Sequence, residues 1–529
     1  MRSTILPTSL RHFALFLIAL LPCAGVARSM PWQGKTYEQK LDSVKEFERF
    51  FRKFKEVAQQ VESILALETD DCPEAVDVLL PLLKHKEVAI KEAAKRVLSG
   101  YREKSSFEAV LAALVDMKDR EMRGELIDVF SQAKQASLLK TIDEIYEKDK
   151  GLNVIEKFHI ARALGRLGAA GREKILAAFL EDGAYEVRVA TLDAIRATKV
   201  KELGPKIVPM LADKVWQVQA AAIRALGVLR TMEAVEPLID FLDDEGRLKQ
   251  DAASALFEIT TRDFGTDHEQ WKKQWKFLTS IPNFRLPTDE ELETARKAKA
   301  EADKAYAPGP NAKVFAGIPT ESTRVVFVID CSASMDDLVT DRKKFKDGGY
   351  PSFRKIDIVK TELYNTVNSL DNTTWFNILS FGKKVDRWKP WLTQCTISNK
   401  AAALSYIKRL QPLGVASSGG FGAVAGDDSG KTNTYEALMQ AFDLDPAKGL
   451  VLTGSGDKKP PKLDTIYFLT DGRPSIGKFV DTEDILKEVK KVNELRSVVI
   501  HAISIGEFEA SFMKRLAEMN GGVFVDLGG

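Results

Sequence analysis

The sequence predicts two unlike halves, an α-helical solenoid followed by a doubly wound, mostly parallel α/β domain. Three observations carry that expectation. Apolar positions Leu164, Ile195, Leu226 and Leu256 recur at spacings of 31, 31 and 30 residues, each inside a helical pattern. From Val325 onward the period changes, and continuous apolar runs such as VVFVI (Val325–Ile329) alternate with amphipathic helical stretches. Between the halves, EELETARKAKAEADKAY is broken by APGPNAK, which marks a linker.

The N-terminus comes first. Arg2 and Arg11 precede the apolar run FALFLIALL (Phe13–Leu21), and the small-residue stretch PCAGVA follows, the order of a secretory signal over residues 1–27. The run is too short for a comfortable membrane span. An exported chain is therefore expected, periplasmic, secreted or at the cell surface, with an uncleaved N-terminal anchor as the alternative. Removing that segment changes the formal net charge from +1 to −1, because it holds two arginines and no acid. Such a balance gives no reason to expect nucleic acid or an anionic membrane as partner. Three cysteines remain (Cys72, Cys331 and Cys395), too few for a disulfide framework.

Residues 28–70 are expected to form an N-terminal helical segment, continuous from Lys35 to Leu67, with Phe47, Phe50, Phe51 and Phe54 on one stripe. Residues 71–280 follow as the solenoid. VRVATLDAIRA, VQAAAIRALGV and LKQDAASALFEI are the second helices of successive units, and ILAAFL, IVPMLA and VEPLIDFL the first. Two apolar helices per thirty-odd residues describe a stacked array, each unit burying its neighbour's face. Trp271 and Trp275, four apart, are expected to cap its end. The pattern resembles HEAT repeats of the short bacterial kind, and the resemblance implies a scaffold or a protein-binding face.

Residues 281–322 are read as linker, part helix and part coil. Residues 323–529 hold strands VVFVI, WFNILSF, TIYFL and VVIHAISI, separated by helices, which means a parallel sheet covered on both faces. Ligands of such sheets sit at the carboxyl ends of the strands. There VVFVI runs into Asp330-Cys331-Ser332-Ala333-Ser334, and TIYFL into Thr470-Asp471-Gly472. A third segment, Lys431-Thr432-Asn433-Thr434, lies just before the helical pattern YEALMQAF. Its GKT suggests a phosphate-binding loop. Only three residues separate Gly426 from Gly430-Lys431, however, and no strand leads into it, so the spacing fails.

The three segments supply two carboxylates and at least three hydroxyls. Hard oxygens with few carboxylates suit a small divalent cation, Mg²⁺ before Mn²⁺ or Ca²⁺. Two carboxylates nearly neutralise a dication and leave it able to attract an acid from outside. Residues from Thr323 on resemble a von Willebrand factor A domain with its metal-ion-dependent adhesion site. That resemblance implies Ser332 and Ser334 as direct hydroxyl ligands and Thr432 as the third, with Thr434 as the alternative. It implies Asp330 and Asp471 as acting through water, and a coordination position left for a partner's Glu or Asp. The loops Leu413–Lys431 and Arg342–Phe353 flank this rim and are expected to shape partner choice. His501, inside an apolar strand, is expected to be structural.

The expected function is thus adhesion-type protein–protein interaction without catalysis. A metal-dependent enzyme using the open position, or a metal-free scaffold, are the alternatives. No H-E-x-x-H, G-x-S-x-G or complete P-loop supports the enzyme.

Overall fold

The computed structural model describes residues 35–243, 246–305, 314–319, 322–346, 348–413, 430–444, 462–506 and 510–527. The signal expected over residues 1–27 lies outside them. Among the described residues no helix is long and apolar enough to cross a membrane.

The chain divides into two compact units, residues 1–110 and 111–529. In the first, helix Tyr37–Phe51 opens with a capping box between Thr36 and Gln39. The single helix expected from Lys35 to Leu67 is two, Tyr37–Phe51 and Val57–Leu65. A continuous helix of that length would extend about 50 Å. The break lets Val44, Phe47, Ile64 and Leu67 all be buried. Lys35 Nζ lies 2.7 Å from the fully buried Asp70 carboxylate and compensates it.

In the second unit helices pair as the period demands: Leu138–Lys148 with Val154–Leu167, Glu173–Leu180 with Tyr185–Thr198, Gly204–Ile207 with Trp216–Leu229, and Val235–Asp240 with Leu248–Thr260. The phase-marking Leu164, Ile195, Leu226 and Leu256 are all fully buried. The first helices of the last two pairs are short and 3₁₀ turns complete them; Pro209 stands in the turn that follows Gly204–Ile207. Successive units are linked by a repeated ion pair. Arg123 donates to Asp149 at 2.7 Å, Lys157 to Asp182 at 2.6 Å, and Arg188 to Asp213 through two bonds of 2.9 and 3.0 Å. Each of these aspartates also accepts from the backbone N–H two residues on, at 2.8–2.9 Å, and so fixes the turn between paired helices. Trp271 and Trp275 are buried, the first edge-on to Phe264 and the second to Phe284.

Helix Asp289–Ala305 is joined to the last two repeats by Arg230–Asp289, Arg296–Glu258 and Lys299–Asp263 pairs. Beyond it the structure differs from the expected linker. β1 (Val314–Phe315) and β2 (Ile318–Pro319) form a hairpin over Ala316 and Gly317, both at positive φ (50° and 82°), the twist a two-residue turn requires. Phe315 is fully buried, edge-on to Phe327 and Tyr467. The core of the α/β domain thus begins before residue 323.

The main sheet holds β3 (Arg324–Asp330), β4 (Trp375–Phe381), β5 (Val385–Arg387), β6 (Thr393–Gln394), β7 (Thr465–Thr470), β8 (Val499–Ser504) and β9 (Phe524–Asp526). Its order is β5-β4-β3-β7-β8-β9, with β6 also on β4. The pairs β3–β4, β3–β7, β7–β8 and β8–β9 are parallel, and β5 and β6 run antiparallel to β4. Val325, Phe327 and Ile329 enter the core on one face, Val326 and Val328 that on the other. This explains why the strand reads as an unbroken apolar run. The chain leaves β3 for β4 on one side and returns to β7 on the other, so the switch point of the sheet lies beside β3, where Asp330 ends the strand.

The solenoid meets this domain through the helices Val154–Leu167, Tyr185–Thr198 and Trp216–Leu229. Arg162 Nε stands 2.8 Å from Glu494, and a cleft of about 540 Å³ lies there, walled by Arg162, Arg166, Arg196, Arg224 and Arg247.

Candidate functional site

Three loops meet at the carboxyl ends of β3 and β7. After Asp330 the chain makes a 3₁₀ turn over Ala333–Asp336, anchored by the buried Met335. The turn brings Ser332 and Ser334 onto one side, their Oγ atoms 3.2 Å apart. Ser334 Oγ donates to Asp471 Oδ1 at 2.8 Å, tying the loop after β3 to the loop after β7. Asp330 Oδ1 accepts the Ser332 N–H at 2.7 Å, and its Oδ2 accepts the Thr470 hydroxyl.

The third loop is held from two sides. Asn433 N–H donates to Gly382 O at 2.9 Å, beyond the end of β4. Thr432 and Ser475 exchange two bonds, Thr432 N–H to Ser475 Oγ and Ser475 N–H to Thr432 O, each 2.9 Å. Asn433 then caps helix Thr434–Phe442 by accepting from Glu436 N–H.

Gly472 shows where these groups converge. A Cβ placed on it would stand 3.2 Å from Thr432 Oγ1, 3.6 Å from Ser334 Oγ and 4.0 Å from Asp330 Oδ2. Two hydroxyls and a carboxylate, carried by the Asp330–Ser334 turn and by Thr432 about a hundred residues on, thus face the side of Gly472 where a side chain is missing. Asp330, Ser332, Ser334, Thr432 and Asp471 are therefore gathered at one rim. Thr434 is instead the first residue of its helix, fully buried, and its hydroxyl has no hydrogen-bond partner among the described residues.

The electrostatics follow from burial. Asp330 has no exposed surface, and its pKa is pushed up to about 7, first by burial and then by the charge of Asp471. Two neighbouring acids in low dielectric need positive charge to ionise together, and Lys355, beside Asp471, supplies half of it. Such a pair fits a dication, and the surrounding donors are hard oxygens as Mg²⁺ requires. Among the described residues no three His, Cys, Asp or Glu side chains gather in a metal-like cluster. Any cation held here would depend on hydroxyls, as the residue types at the rim allow.

Two groups escaped the sequence reading. Thr470 donates to Asp330, and only the position of TDG directly after a strand could have pointed to it. Lys355, the first residue of helix Lys355–Ser369, places Nζ 2.8 Å from Asp471 Oδ2. It stands 116 residues from its partner, and nothing in its local sequence singles it out.

The remaining expectations can be placed as well. Cys331 is buried, and burial pushes its thiol up. His501 stacks on Tyr467 and accepts from Val523 N–H, and burial lowers its pKa to about 4. The segment Arg342–Phe353 is pinned by the buried Phe345, edge-on to Tyr350, whose hydroxyl donates to Glu362. Residues 414–429 of the other flanking loop lie outside the described residues.

Residues 323–526 match the family model of the von Willebrand factor type A domain, and residues 172–256 that of HEAT repeats. Inter-alpha-trypsin inhibitor heavy chain H2 of Mesocricetus auratus is 27% identical over 201 residues, 38% of this chain and 17% of its own length. The von Willebrand factor A domain-containing protein 3A of Homo sapiens is 27% identical over 150 residues, 28% of this chain and 10% of its own length. The chain thus spans less than a fifth of the length of these relatives. Among solved structures, the PilB minor pilin from Streptococcus sanguinis superposes with a TM-score of 0.27 at 16% identity, covering 40% of this chain and 59% of that one. This chain therefore carries HEAT repeats at residues 172–256 and a von Willebrand factor type A domain at residues 323–526.

Proposed function

We propose that the chain is an exported protein–protein interaction scaffold whose A-type domain takes an acidic residue of a protein partner through a divalent cation. Ser332, Ser334 and Thr432 would hold the cation with their hydroxyls, and Asp330 and Asp471 would balance its charge. The bound ion, Mg²⁺ first, supplies a Lewis-acidic point for a Glu or Asp carboxylate. The observation that carries this reading is the ring of oxygens around the open position at Gly472, with two acids behind it. Among the described residues the rim holds no histidine placed as a general base (His501 is stacked on Tyr467 inside the sheet), which favours binding over catalysis.

The chain's own residues prepare the site. Thr470 and the Ser332 N–H orient Asp330, Ser334 orients Asp471, and the Ser475 exchange fixes the backbone at Thr432. The solenoid would act as scaffold and second protein-binding face.

Titrating the full chain with Mg²⁺ by calorimetry tests the reading. One ion per chain is expected, and Asp330→Ala should abolish the heat while leaving the circular dichroism spectrum unchanged. Equal Mg²⁺ binding by both proteins would overturn it.

A further inference from the structure

We propose that Lys355 is a built-in counter-charge of the rim, which weakens the hold on a cation and leaves the loaded site net positive toward an acidic partner. This rests on the divalent-cation reading given above.

Lys355 occupies the first turn of its helix, where a cation opposes the helix dipole. Its position is explained by what it touches. Nζ lies 2.8 Å from Asp471 Oδ2, the lysine side chain is 12% exposed and that of Asp471 is fully buried. The other oxygen of the same carboxylate takes Ser334. Gly506 makes room for the lysine, since a Cβ there would stand 3.2 Å from Nζ and 3.5 Å from Asp471 Cβ. The adjacent Arg354 turns elsewhere, to Asp336 and Asp357, both at 2.9 Å. Lys355 is thus a cation committed to the rim.

The charge count gives the consequence. Asp330, Asp471 and Lys355 sum to −1, so a dication makes the site +1. Without the lysine the loaded site would be neutral. Repulsion between Lys355 and a bound cation scales with the cation's charge. A trivalent ion is therefore penalised more than a divalent one, by a ratio of logarithms of about 3 to 2.

The experiment uses the full chain with Mg²⁺ and Tb³⁺, measured by calorimetry and by terbium luminescence, in wild type, Lys355→Met, Lys355→Gln and Lys355→Arg. Both neutral variants should bind Mg²⁺ about tenfold more tightly and Tb³⁺ about thirtyfold, while the arginine variant stays within about threefold of wild type. A lysine that merely positions Asp471 predicts weaker binding in the neutral variants. One that merely fills space predicts equal gains for both ions. Either result, or no change, overturns the proposal while leaving the cation site standing. Failure of every protein, wild type included, to bind either ion removes both readings at once. Two neutral variants guard against one that melts early.

Discussion

Two aspartates, Asp128 half-buried and Asp330 fully buried, show how differently the halves of this chain treat charge. In the solenoid, Asp128 has two guanidiniums beside it, Arg166 at 2.6 Å and Arg162 at 3.5 Å, and the His159 ring at 3.6 Å. Burial alone would raise its pKa, but His159 and the two guanidiniums outweigh burial and hold the carboxyl well below the usual range. At the rim, Asp330 is more deeply buried and faces another acid, and it is shifted the opposite way. The charge of Asp128 is compensated by residues of the solenoid itself. The rim keeps a negative excess that Lys355 only half relieves, and an excess of that kind has use only if something from outside compensates it.

Removing each acid should break the comparison in opposite directions. Asp330→Asn keeps the shape but removes one of the two repelling charges. It should lose Mg²⁺ binding by more than about a hundredfold, yet melt no lower than wild type in chelator. Asp128→Asn should leave Mg²⁺ binding intact and lower stability by about 1 kcal/mol in denaturant titration, because it removes the carboxylate that Arg162 and Arg166 share near the surface. Similar behaviour of the two variants would erase the distinction.

The pH dependence sharpens it. A carboxyl whose folded pKa is raised to about 7 binds its proton more strongly when folded than when unfolded, so its contribution to stability falls as pH rises from about 4 to 7. Asp128 has a lowered folded pKa, so its contribution is present above about pH 4 and lost as pH falls below that. Melts in chelator across about pH 3–8, with wild type read against each variant, should show the two slopes. Saturating Mg²⁺ should flatten the Asp330 slope and leave the Asp128 slope in place.

The smallest effect is expected at Gly472. Its φ is ordinary, so Gly472→Ala tests space alone. The methyl would stand 3.2 Å from Thr432 Oγ1, a distance its neighbours can relieve by a few tenths of an ångström. Mg²⁺ affinity should drop about tenfold, or about 1.4 kcal/mol, with the melting temperature nearly unchanged.

Much of this was legible in the residues. The period of about 31 showed the stacked helices, because each unit can bury its apolar face only against the next. The unbroken run of β3 announced a strand covered on both sides. The convergence of these oxygens at one rim was readable because they stand at strand ends and before a helix, places fixed by topology rather than by side-chain packing. The missed features depend on long-range contact. Lys355 meets Asp471 only when two crossovers bring their loops together. The Asp149–Asp182–Asp213 series was in the sequence at spacings of 33 and 31 residues, but a turn aspartate looks the same with or without a cation from the preceding unit. The helix break at residues 52–56 has no glycine or proline to mark it. The β1–β2 hairpin was hidden because two-residue strands carry no period.

That hairpin has a practical bearing on anyone who wants the A-type domain alone. Phe315 plugs a socket formed by Phe327 and Tyr467. A fragment started at Thr323, where the repeating strand–helix pattern begins, would leave two large rings bare to water and invite aggregation. Starting upstream of Val314 keeps the plug in place.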